Sequence, residues 1–511
     1  MLVKTYGFAV YGIEAIPITI ETNISNGINF FLVGLPDSAV KESHQRIKAA
    51  FANTGLKFPR KEITINMAPA DIRKEGSSYD LSIAMGILAA SKQINIENIE
   101  KYVIMGELSL DGGLRPIKGV LSMAIRAKEM GFKGFILPKQ NEQEASIVEG
   151  IKIFGVETIQ EVVSYINGDI QLVPATFKSD ESAIHTEEFA IDFSDVKGQE
   201  NVKRALEIAA CGGHNILLVG PPGSGKTMLA KRLPSILPPL TIDEALETTK
   251  IHSVAGLVGE NNGLLTTRPF RSPHHTASDV ALVGGGPNPK PGEISLAHNG
   301  ILFLDELPEY KRQALEVMRQ PLEDRVVSIS RAKMTVDYPA GFMLVASMNP
   351  SPSGNFYDPN DPKSDPEYIV KRYMNKISGP LMDRIDLHIE VPAVPFEQLS
   401  CKSKGETSET IRNRVVKTRK IQELRFSKIP SIHYNAQLLP KQIENYCQID
   451  QTSHEILKKA MEKMGLSARS YARILKVSRT IADMENSEQI NAKHIAEAIQ
   501  FRSLDRGLNI E

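Results

Sequence analysis

The part of this chain that most restricts its fold is a glycine-rich run, Gly220-Pro221-Pro222-Gly223-Ser224-Gly225-Lys226-Thr227. It follows the apolar run Asn215–Val219 and precedes a helix-like stretch, Met228–Leu233. Strand, glycine-rich loop and helix in this order are the context of a phosphate-binding P-loop. The glycines let backbone N–H groups surround phosphate oxygens, Lys226 supplies a charge for the β- and γ-phosphates, and the Thr227 hydroxyl can ligate Mg²⁺. The run therefore predicts a site for a nucleoside triphosphate with Mg²⁺.

Two carboxylates end a second apolar run. Ile301–Leu304 is short and apolar, as expected of a buried parallel strand, and Asp305 and Glu306 follow it directly. Because open α/β sheets bind ligands beyond the carboxyl ends of their strands, we expect both side chains near the P-loop. There Asp305 would hold Mg²⁺ through water and Glu306 would polarise the attacking water. Taken alone, the run also fits a strand that ends in a solvated acidic turn.

Asn349 follows a third apolar run, Phe342–Ala346, in the segment Ser347-Met348-Asn349-Pro350. A third buried strand would bring the Asn349 amide beside the γ-phosphate and the attacking water, where it would act as a polar sensor. Asn before Pro is also an ordinary turn. The position of Asn349, one strand after the two carboxylates, favours the sensor.

Three arginines have two interpretations each. Arg384 lies between Asp383 and Asp386. It is either an arginine finger that reaches a neighbour's γ-phosphate or part of a local Asp–Arg ion pair. Arg469 and Arg473 share one face of a predicted helix, where they are either nucleotide sensors or a solvated face.

Composition leaves the partner of this site open. The 60 basic and 61 acidic residues give a formal net charge of -1, which excludes a global basic field, so DNA would be contacted by local stripes or loops. Cys211, Cys401 and Cys447 form no C-x-x-C pair, which excludes a disulfide framework and a cysteine zinc site and favours a reducing, cytoplasmic setting. We find no signal-peptide-like start and no apolar run of about 18 residues, and we expect no membrane association.

At 511 residues the chain has room for about three domains. We predict a mixed α/β domain over residues 1–170 and a linker over 171–192, which is rich in Ser, Thr, Asp and Glu. Residues 193–395 are predicted to form a parallel sheet covered on both faces, and residues 396–511 a helical lid. The lid helices are predicted at Glu409–Arg425, His454–Met464, Ala468–Glu485 and Ala492–Arg502, with Gly465 as a stop and Ser467 and Asn491 as N-caps.

Several of these motifs together resemble those of the magnesium-chelatase-like AAA+ ATPases of the ComM/YifB type, and the resemblance covers nearly the whole chain. They are G-P-P-G-S-G-K-T at 220–227, R-P-F-R-S-P-H-H at 268–275, I-L-F-L-D-E-L at 301–307, S-M-N-P at 347–350 and S-G-P-L-M-D-R-I-D-L at 378–387. The resemblance implies an AAA+ core with a helical lid and ATP hydrolysis by a hexameric ring. It also implies that Arg384 is the finger and Arg469 the lid sensor, with Arg473 as a weaker candidate.

The resemblance further implies an insert over about 255–286, with a glycine-rich tip, that faces the pore of the ring. Four side chains within it would contact phosphates or belong to a packed insert: Arg268, Arg271, His274 and His275. We assign the adjacent histidines no metal. A hairpin is predicted from Val326–Arg331 and Met334–Val336, in which Arg331 and Lys333 either engage DNA or keep an exposed strand soluble.

The first segment resembles the proteolytic domain of Lon proteases, which is an α/β domain of the ribosomal S5-like type. Lys74-Glu75-Gly76-Ser77-Ser78 stands at the place of the nucleophile motif. A Ser–Lys dyad needs the amine to deprotonate the hydroxyl. The lysine position holds Leu121 in this chain, and Lys118 lies three residues earlier, so we expect Ser78 to be non-catalytic.

Many members of the resembled family carry a cysteine zinc knuckle after the sensor asparagine. This chain has Ser351, Ser353, Pro362 and Ser364 at those places. A serine hydroxyl is a poor zinc ligand and proline has no ligating side chain, so we expect no zinc in the loop 349–365.

The resemblance favours a hexameric, ATP-driven motor that acts on DNA, and the ComM type implies branch migration, a helicase role, in the integration of transforming DNA. A chelatase-type or protein-remodelling motor is the alternative, and a Lon-like protease is less favoured. A non-enzymatic adaptor is the least economical interpretation, because the chain has Lys226, Asp305, Glu306, Asn349 and Arg384.

Overall fold

The computed structural model describes residues 1–177, 191–258, 263–286, 289–331, 334–355, 365–400, 405–429 and 431–502. The chain divides into two compact units. The first comprises Met1–Ala183 together with Thr241–Thr266, and the second comprises Ile184–Leu240 together with Thr267–Glu511.

The first unit is built on a mixed seven-stranded sheet in the order β3-β4-β2-β1-β5-β8-β9. Its strands β1 to β9, of which β6 and β7 form a separate ribbon, are Leu2–Tyr11, Glu14–Ser25, Phe30–Val33, Glu62–Ala68, Tyr102–Ile104, Glu107–Leu108, Leu114–Arg115, Gly134–Pro138 and Lys152–Val156. Its helices are Ser38–Thr54, Asp80–Ala90, Val120–Glu129, Glu142–Ser146, Ile159–Asn167 and Ile242–Ala255. The helix Asp80–Ala90 is apolar on nearly every side and is buried along its whole length, as expected for a helix at the centre of a core.

The second unit contains a five-stranded parallel sheet in the order β11-β14-β17-β10-β18. Strands β10 to β18 are Ile216–Val219, Phe270–Arg271, Gly284–Gly285, Lys290–Pro291, Ile301–Leu304, Val326–Arg331, Met334–Pro339, Met343–Met348 and Leu387–Glu390. The strands β10, β14 and β17 are buried at every residue, which explains their continuous apolar sequences. The predicted α/β fold with a parallel-sheet core is confirmed.

Helices cover this sheet and continue into the lid. Those before the lid are Glu200–Gly212, Lys226–Arg232, Asp279–Val283, Glu293–Leu296, Arg312–Glu316, Arg319–Asp324, Glu367–Met374, Gly379–Met382 and Phe396–Ser400. The lid helices are Ser408–Phe426, Pro440–Tyr446, Gln451–Met464, Ala468–Met484 and Ala492–Gln500. Gly465 ends one helix in the left-handed conformation, at φ 61°, and the Ser467 hydroxyl caps the next by accepting from the Ser470 N–H at 3.2 Å.

The segment Thr241–Thr266 lies within the range predicted for the sheet domain, 193–395, and groups with the first unit. There the Ser253 hydroxyl donates to the buried Glu144 carboxylate, and the Gly119 N–H donates to the Ser253 carbonyl at 3.1 Å. Most of the predicted linker, at 178–190, lies outside the described residues, and the predicted domain bounds stay predictions.

Within the described part of the chain, no helix combines the length and the apolar character that crossing a membrane requires.

Candidate functional site

The predicted P-loop connects β10 to the helix Lys226–Arg232, which begins directly after Gly225. Gly223 and Gly225 adopt φ of 77° and 89°, which side chains rarely tolerate. At Gly220 a Cβ atom would lie 2.2 Å from the Val391 carbonyl oxygen, so a larger residue would displace the backbone. These three glycines fix the path of the loop at the carboxyl end of the strand.

The Lys226 ammonium lies against the loop itself. Its Nζ donates to the carbonyl oxygens of Gly220 at 2.7 Å and Pro221 at 3.0 Å, and to Asn349 Oδ1 at 3.2 Å. Burial lowers the pKa of Lys226, and the carboxylates of Asp305 and Glu306 oppose that shift. The asparagine predicted as a sensor thus lies beside the P-loop lysine, because β10 and β17 are adjacent parallel strands.

Two hydroxyls and one backbone N–H donate to the Asp305 carboxylate. The Thr227 hydroxyl donates to Asp305 Oδ2 at 2.7 Å, the Ser347 hydroxyl donates to Oδ1, and the Glu306 N–H donates to Oδ1 at 3.1 Å. A hydroxyl and a carboxylate held together at the mouth of a P-loop are the kind of oxygen donors that Mg²⁺ prefers, so the residues fit the ion of a bound Mg–nucleotide. Ser347 was not singled out from the sequence, although its place two residues before Asn349 put it at the same edge.

Glu306 follows Asp305 in a left-handed backbone conformation, at φ 54° and ψ 49°. Its side chain is 58% exposed, and its Oε2 lies 3.2 Å from Nδ1 of His275. The Tyr310 hydroxyl donates to the Pro273 carbonyl at 2.6 Å, and burial raises the Tyr310 pKa, with a further contribution from Asp305 and Glu306. The sequence predicted His275 as a phosphate contact or as part of a packed insert, and its place beside Glu306 was missed.

Arg384 makes its contacts away from the P-loop. The residue is 5% exposed, Nη2 lies 2.6 Å from Glu323 Oε1, and Nη1 donates to the Pro380 carbonyl at 2.6 Å. The local alternative, an ion pair of Arg384 with a neighbouring aspartate, therefore names the wrong partner, because the ion pair is with Glu323. Arg384, Arg319 and Glu323 line a cleft of about 480 Å³.

Arg473 and Arg469 have different surroundings. Arg469 is exposed in the first turn of the helix Ala468–Met484, whereas Arg473 Nη1 donates to Asp386 Oδ1 at 2.8 Å. Burial by itself would raise the pKa of Asp386, but Arg473 and His214 outweigh it and hold that pKa below its ordinary value. Arg473 is therefore an ion-paired residue between the lid helix and the strand β18, and the interpretation as a solvated face is wrong for it.

The arginines of the R-P-F-R-S-P-H-H segment are packed. Arg268 donates to the carbonyls of Pro238 at 2.7 Å and Asn299 at 2.7 Å, and Arg271 makes a two-point pair with Glu293 at 2.6 and 2.9 Å. Arg268 and Arg271 thus fit the second of their two interpretations, in which they belong to a packed insert.

The predicted hairpin and the predicted insert lie only partly within the described residues. The strands β15 and β16 pair antiparallel as predicted, but the Arg331 side chain and Lys333 lie outside the described residues. The glycine-rich tip of the predicted insert forms β12, which pairs antiparallel with β13.

The Lon-like segment has an apolar residue where a catalytic lysine would stand. Leu121 is buried in the first turn of the helix Val120–Glu129, and its N–H donates to Glu144 at 3.0 Å. Burial raises the pKa of Glu144, while bonds from Ser253 and Leu121 oppose that shift. The Ser77 hydroxyl donates to Glu107, and the Ser78 carbonyl accepts from the Gly106 N–H at 2.9 Å.

Among the described residues, no group of three or more His, Cys, Asp or Glu side chains is arranged to hold a metal ion. Ser351 and Ser353 bond to each other at 3.0 Å between hydroxyl oxygens, and the Ser353 N–H donates to Asp365 at 2.8 Å. Pro362 and Ser364 lie outside the described residues, so the expected absence of zinc stays a prediction.

Family models match three stretches of the chain. They are "Magnesium chelatase, subunit ChlI" over 192–399, "Subunit ChlI of Mg-chelatase" over 20–141 and "Magnesium chelatase, subunit ChlI C-terminal" over 405–502.

Similar proteins extend the match to the whole chain. Competence protein ComM of Haemophilus influenzae is 47% identical over 509 residues, which cover 99% of this chain and 98% of the relative. Protein YifB of Salmonella typhimurium is 45% identical over 500 residues, which cover 98% and 96%. Lon protease 2 of Bacillus subtilis is 35% identical over 130 residues, which are 25% of this chain and 23% of that protease.

Proposed function

This chain belongs to the magnesium-chelatase-like AAA+ family of ComM and YifB, and on that basis we propose that it is an ATP-hydrolysing motor that assembles as a hexameric ring and acts on DNA. The observation that carries the ATPase proposal is the meeting of Thr227 with Asp305 and of Lys226 with Asn349 at one edge of a parallel sheet.

Each residue at this edge has a chemical task. The loop N–H groups and Lys226 bind the phosphates of ATP. Thr227 and Asp305 would hold the Mg²⁺ ion that accompanies the nucleotide, because this ion prefers oxygen ligands. Bound Mg²⁺ would neutralise charge that develops on the phosphate oxygens. Glu306 accepts a hydrogen bond from the attacking water, and Asn349 orients that water and the γ-phosphate.

Arg384 completes this site from a neighbouring subunit. Its guanidinium would stabilise the charge of the transferred phosphoryl group, so hydrolysis would require ring assembly. Arg469, exposed at the start of its helix, is the proposed nucleotide sensor of the lid. Both roles derive from family membership and remain proposals for this chain.

The DNA proposal rests on relatives. The Haemophilus relative is named a competence protein and matches this chain over nearly its full length. We propose a branch-migration or helicase role during integration of transforming DNA, with pore loops that contact the strand. The alternative is a motor that remodels a protein partner, as the chelatase names of the family models suggest.

The test uses Glu306→Gln, which keeps the shape of the side chain but removes the base. We expect this variant to bind ATP and to form a stable ring on a branched DNA junction, as seen by native mass measurement and DNA retention. Glu309→Gln is the matched control, because Glu309 pairs with Lys376 at the surface of the same loop. A ring that forms with ATP but does not retain DNA would favour the protein-remodelling alternative.

A further inference from the structure

The segment that carries His275 is anchored at several points. Phe270 and Arg271 form β11 at the edge of the sheet and pair with β14 in parallel, so the chain beyond each strand emerges at the same edge. Arg271 pairs with Glu293, and Pro273 accepts the hydrogen bond from Tyr310. His275 therefore occupies a position that the fold sets, next to the residue that follows β14.

The imidazole contacts the proposed base directly. His275 Nδ1 lies 3.2 Å from Glu306 Oε2, and the His275 side chain is 32% exposed. The ring also lies against His274, at 4.1 Å between centroids with the two planes tilted by 34°, and meets the Tyr310 ring edge-on at 6.5 Å. Ring contacts on two sides restrict the imidazole, whereas the Glu306 side chain is more than half exposed.

We propose that His275 is a positioning residue for Glu306. With its proton on Nδ1, the imidazole donates to Oε2 and leaves Oε1 free to accept a hydrogen bond from the attacking water. A base must lie within about 2.6–3.2 Å of the proton that it accepts, and an exposed glutamate with several rotatable bonds does not keep such a position by itself. His275 supplies the missing restraint from a neighbouring strand, in the way that a third group orients a catalytic base.

This inference rests on the proposed ATPase activity, and its test separates the two. Steady-state ATP hydrolysis is measured for wild type, His275→Ala, His275→Asn and Glu309→Gln. We expect His275→Ala to lower kcat about tenfold with KM nearly unchanged, because the lost contact acts on the base and not on nucleotide binding. His275→Asn keeps a side-chain N–H donor and should recover part of kcat. Glu309→Gln, whose carboxylate pairs with Lys376 and not with His275, should retain most of it.

The second readout is the dependence on Glu306. In a Glu306→Gln background, His275→Ala should cause no further loss, since the base through which it acts is already absent. Thermal unfolding of the full chain should be unchanged by His275→Asn. If wild type hydrolyses ATP and Glu306→Gln does not, but His275→Ala turns over at the wild-type rate, the positioning role is refuted. The positioning role is also refuted if His275→Ala lowers turnover by the same factor in the wild-type and the Glu306→Gln backgrounds. An inactive wild type would instead refute the ATPase proposal itself.

Discussion

Arg384 Nη2 lies 2.6 Å from Glu323 Oε1, and this ion pair holds the guanidinium within the same chain, where the residue is 5% exposed. A finger that serves a neighbour's nucleotide must present its charge outward, so the Glu323 contact and the proposed task of Arg384 compete for the same atoms. As long as the Arg384 guanidinium stays buried, the Glu323 carboxylate compensates the cost of its desolvation.

The first prediction concerns this finger. Lys226→Ala and Arg384→Ala subunits should each be inactive alone, because one lacks the phosphate contact and the other lacks the finger. Mixed in equal amounts, they should regain a measurable fraction of ATP turnover, since a Lys226→Ala subunit can supply Arg384 to an intact site on its neighbour. Lys226→Ala mixed with Glu306→Gln provides the control, because both lesions then affect the nucleotide's own subunit. No recovery in the first mixture, with assembly intact, would show that Arg384 does not act between subunits.

The second prediction concerns Thr227. Thr227→Ala removes the hydroxyl that bonds to Asp305, and we expect the Mg²⁺ concentration for half-maximal ATP hydrolysis to rise by about tenfold. Thr227→Ser keeps the hydroxyl and should remain close to wild type. The measurement is a titration of ATP hydrolysis with Mg²⁺ at fixed ATP. An unchanged midpoint in Thr227→Ala would show that Thr227 does not help to hold Mg²⁺.

The third prediction concerns the pair of Arg473 with Asp386. Asp386 is buried, and Asp386→Asn would leave Arg473 without its carboxylate partner, which we expect to cost about 3–5 kcal/mol in free energy of unfolding. Denaturant unfolding measures this change. Asp383→Asn, in the same segment but partly exposed, is the control and should cost much less. Equal losses in both variants would contradict the assigned importance of the buried pair.

The fourth prediction is a pH dependence. Burial, and secondarily Arg473, lower the pKa of Lys476 to about 8. Unfolding returns that pKa to about 10.4, so between these values the unfolded chain binds more protons and stability rises with pH. This gain in stability is absent at pH values below the folded pKa and is complete above the unfolded pKa. Lys476→Met should flatten the rise between about pH 8 and 10 in denaturant unfolding, relative to wild type, whereas parallel curves for the two proteins would disprove this assignment.

The sequence predicted the elements whose signals are local. Three features depend on only a few neighbouring residues: the glycines and lysine of the P-loop, the acidic end of β14 and the helix cap at Ser467. The strands and helices that carry these features lie where we expect them. Parallel-sheet geometry then accounts for the proximity of Lys226, Asp305 and Asn349, since the carboxyl ends of β10, β14 and β17 share one edge.

Partners that are distant in the sequence could not be predicted in this way. Arg384 has two aspartates within two residues, yet its partner is Glu323 from an earlier helix. The helix Ile242–Ala255 follows the P-loop helix in the chain but belongs to the first unit, because contacts such as that of Ser253 with Glu144 carry no local signal. The contact of His275 with Glu306 is likewise set by the pairing of β11 with β14.

The most direct measurement is ATP turnover by the wild type with and without a branched DNA junction, beside Glu306→Gln under the same conditions. We predict that the junction raises wild-type turnover and that Glu306→Gln hydrolyses ATP at least about 10²-fold more slowly in both cases. Wild-type turnover that is unaffected by DNA would contradict a DNA motor, and a Glu306→Gln variant as fast as wild type would contradict the ATPase site itself.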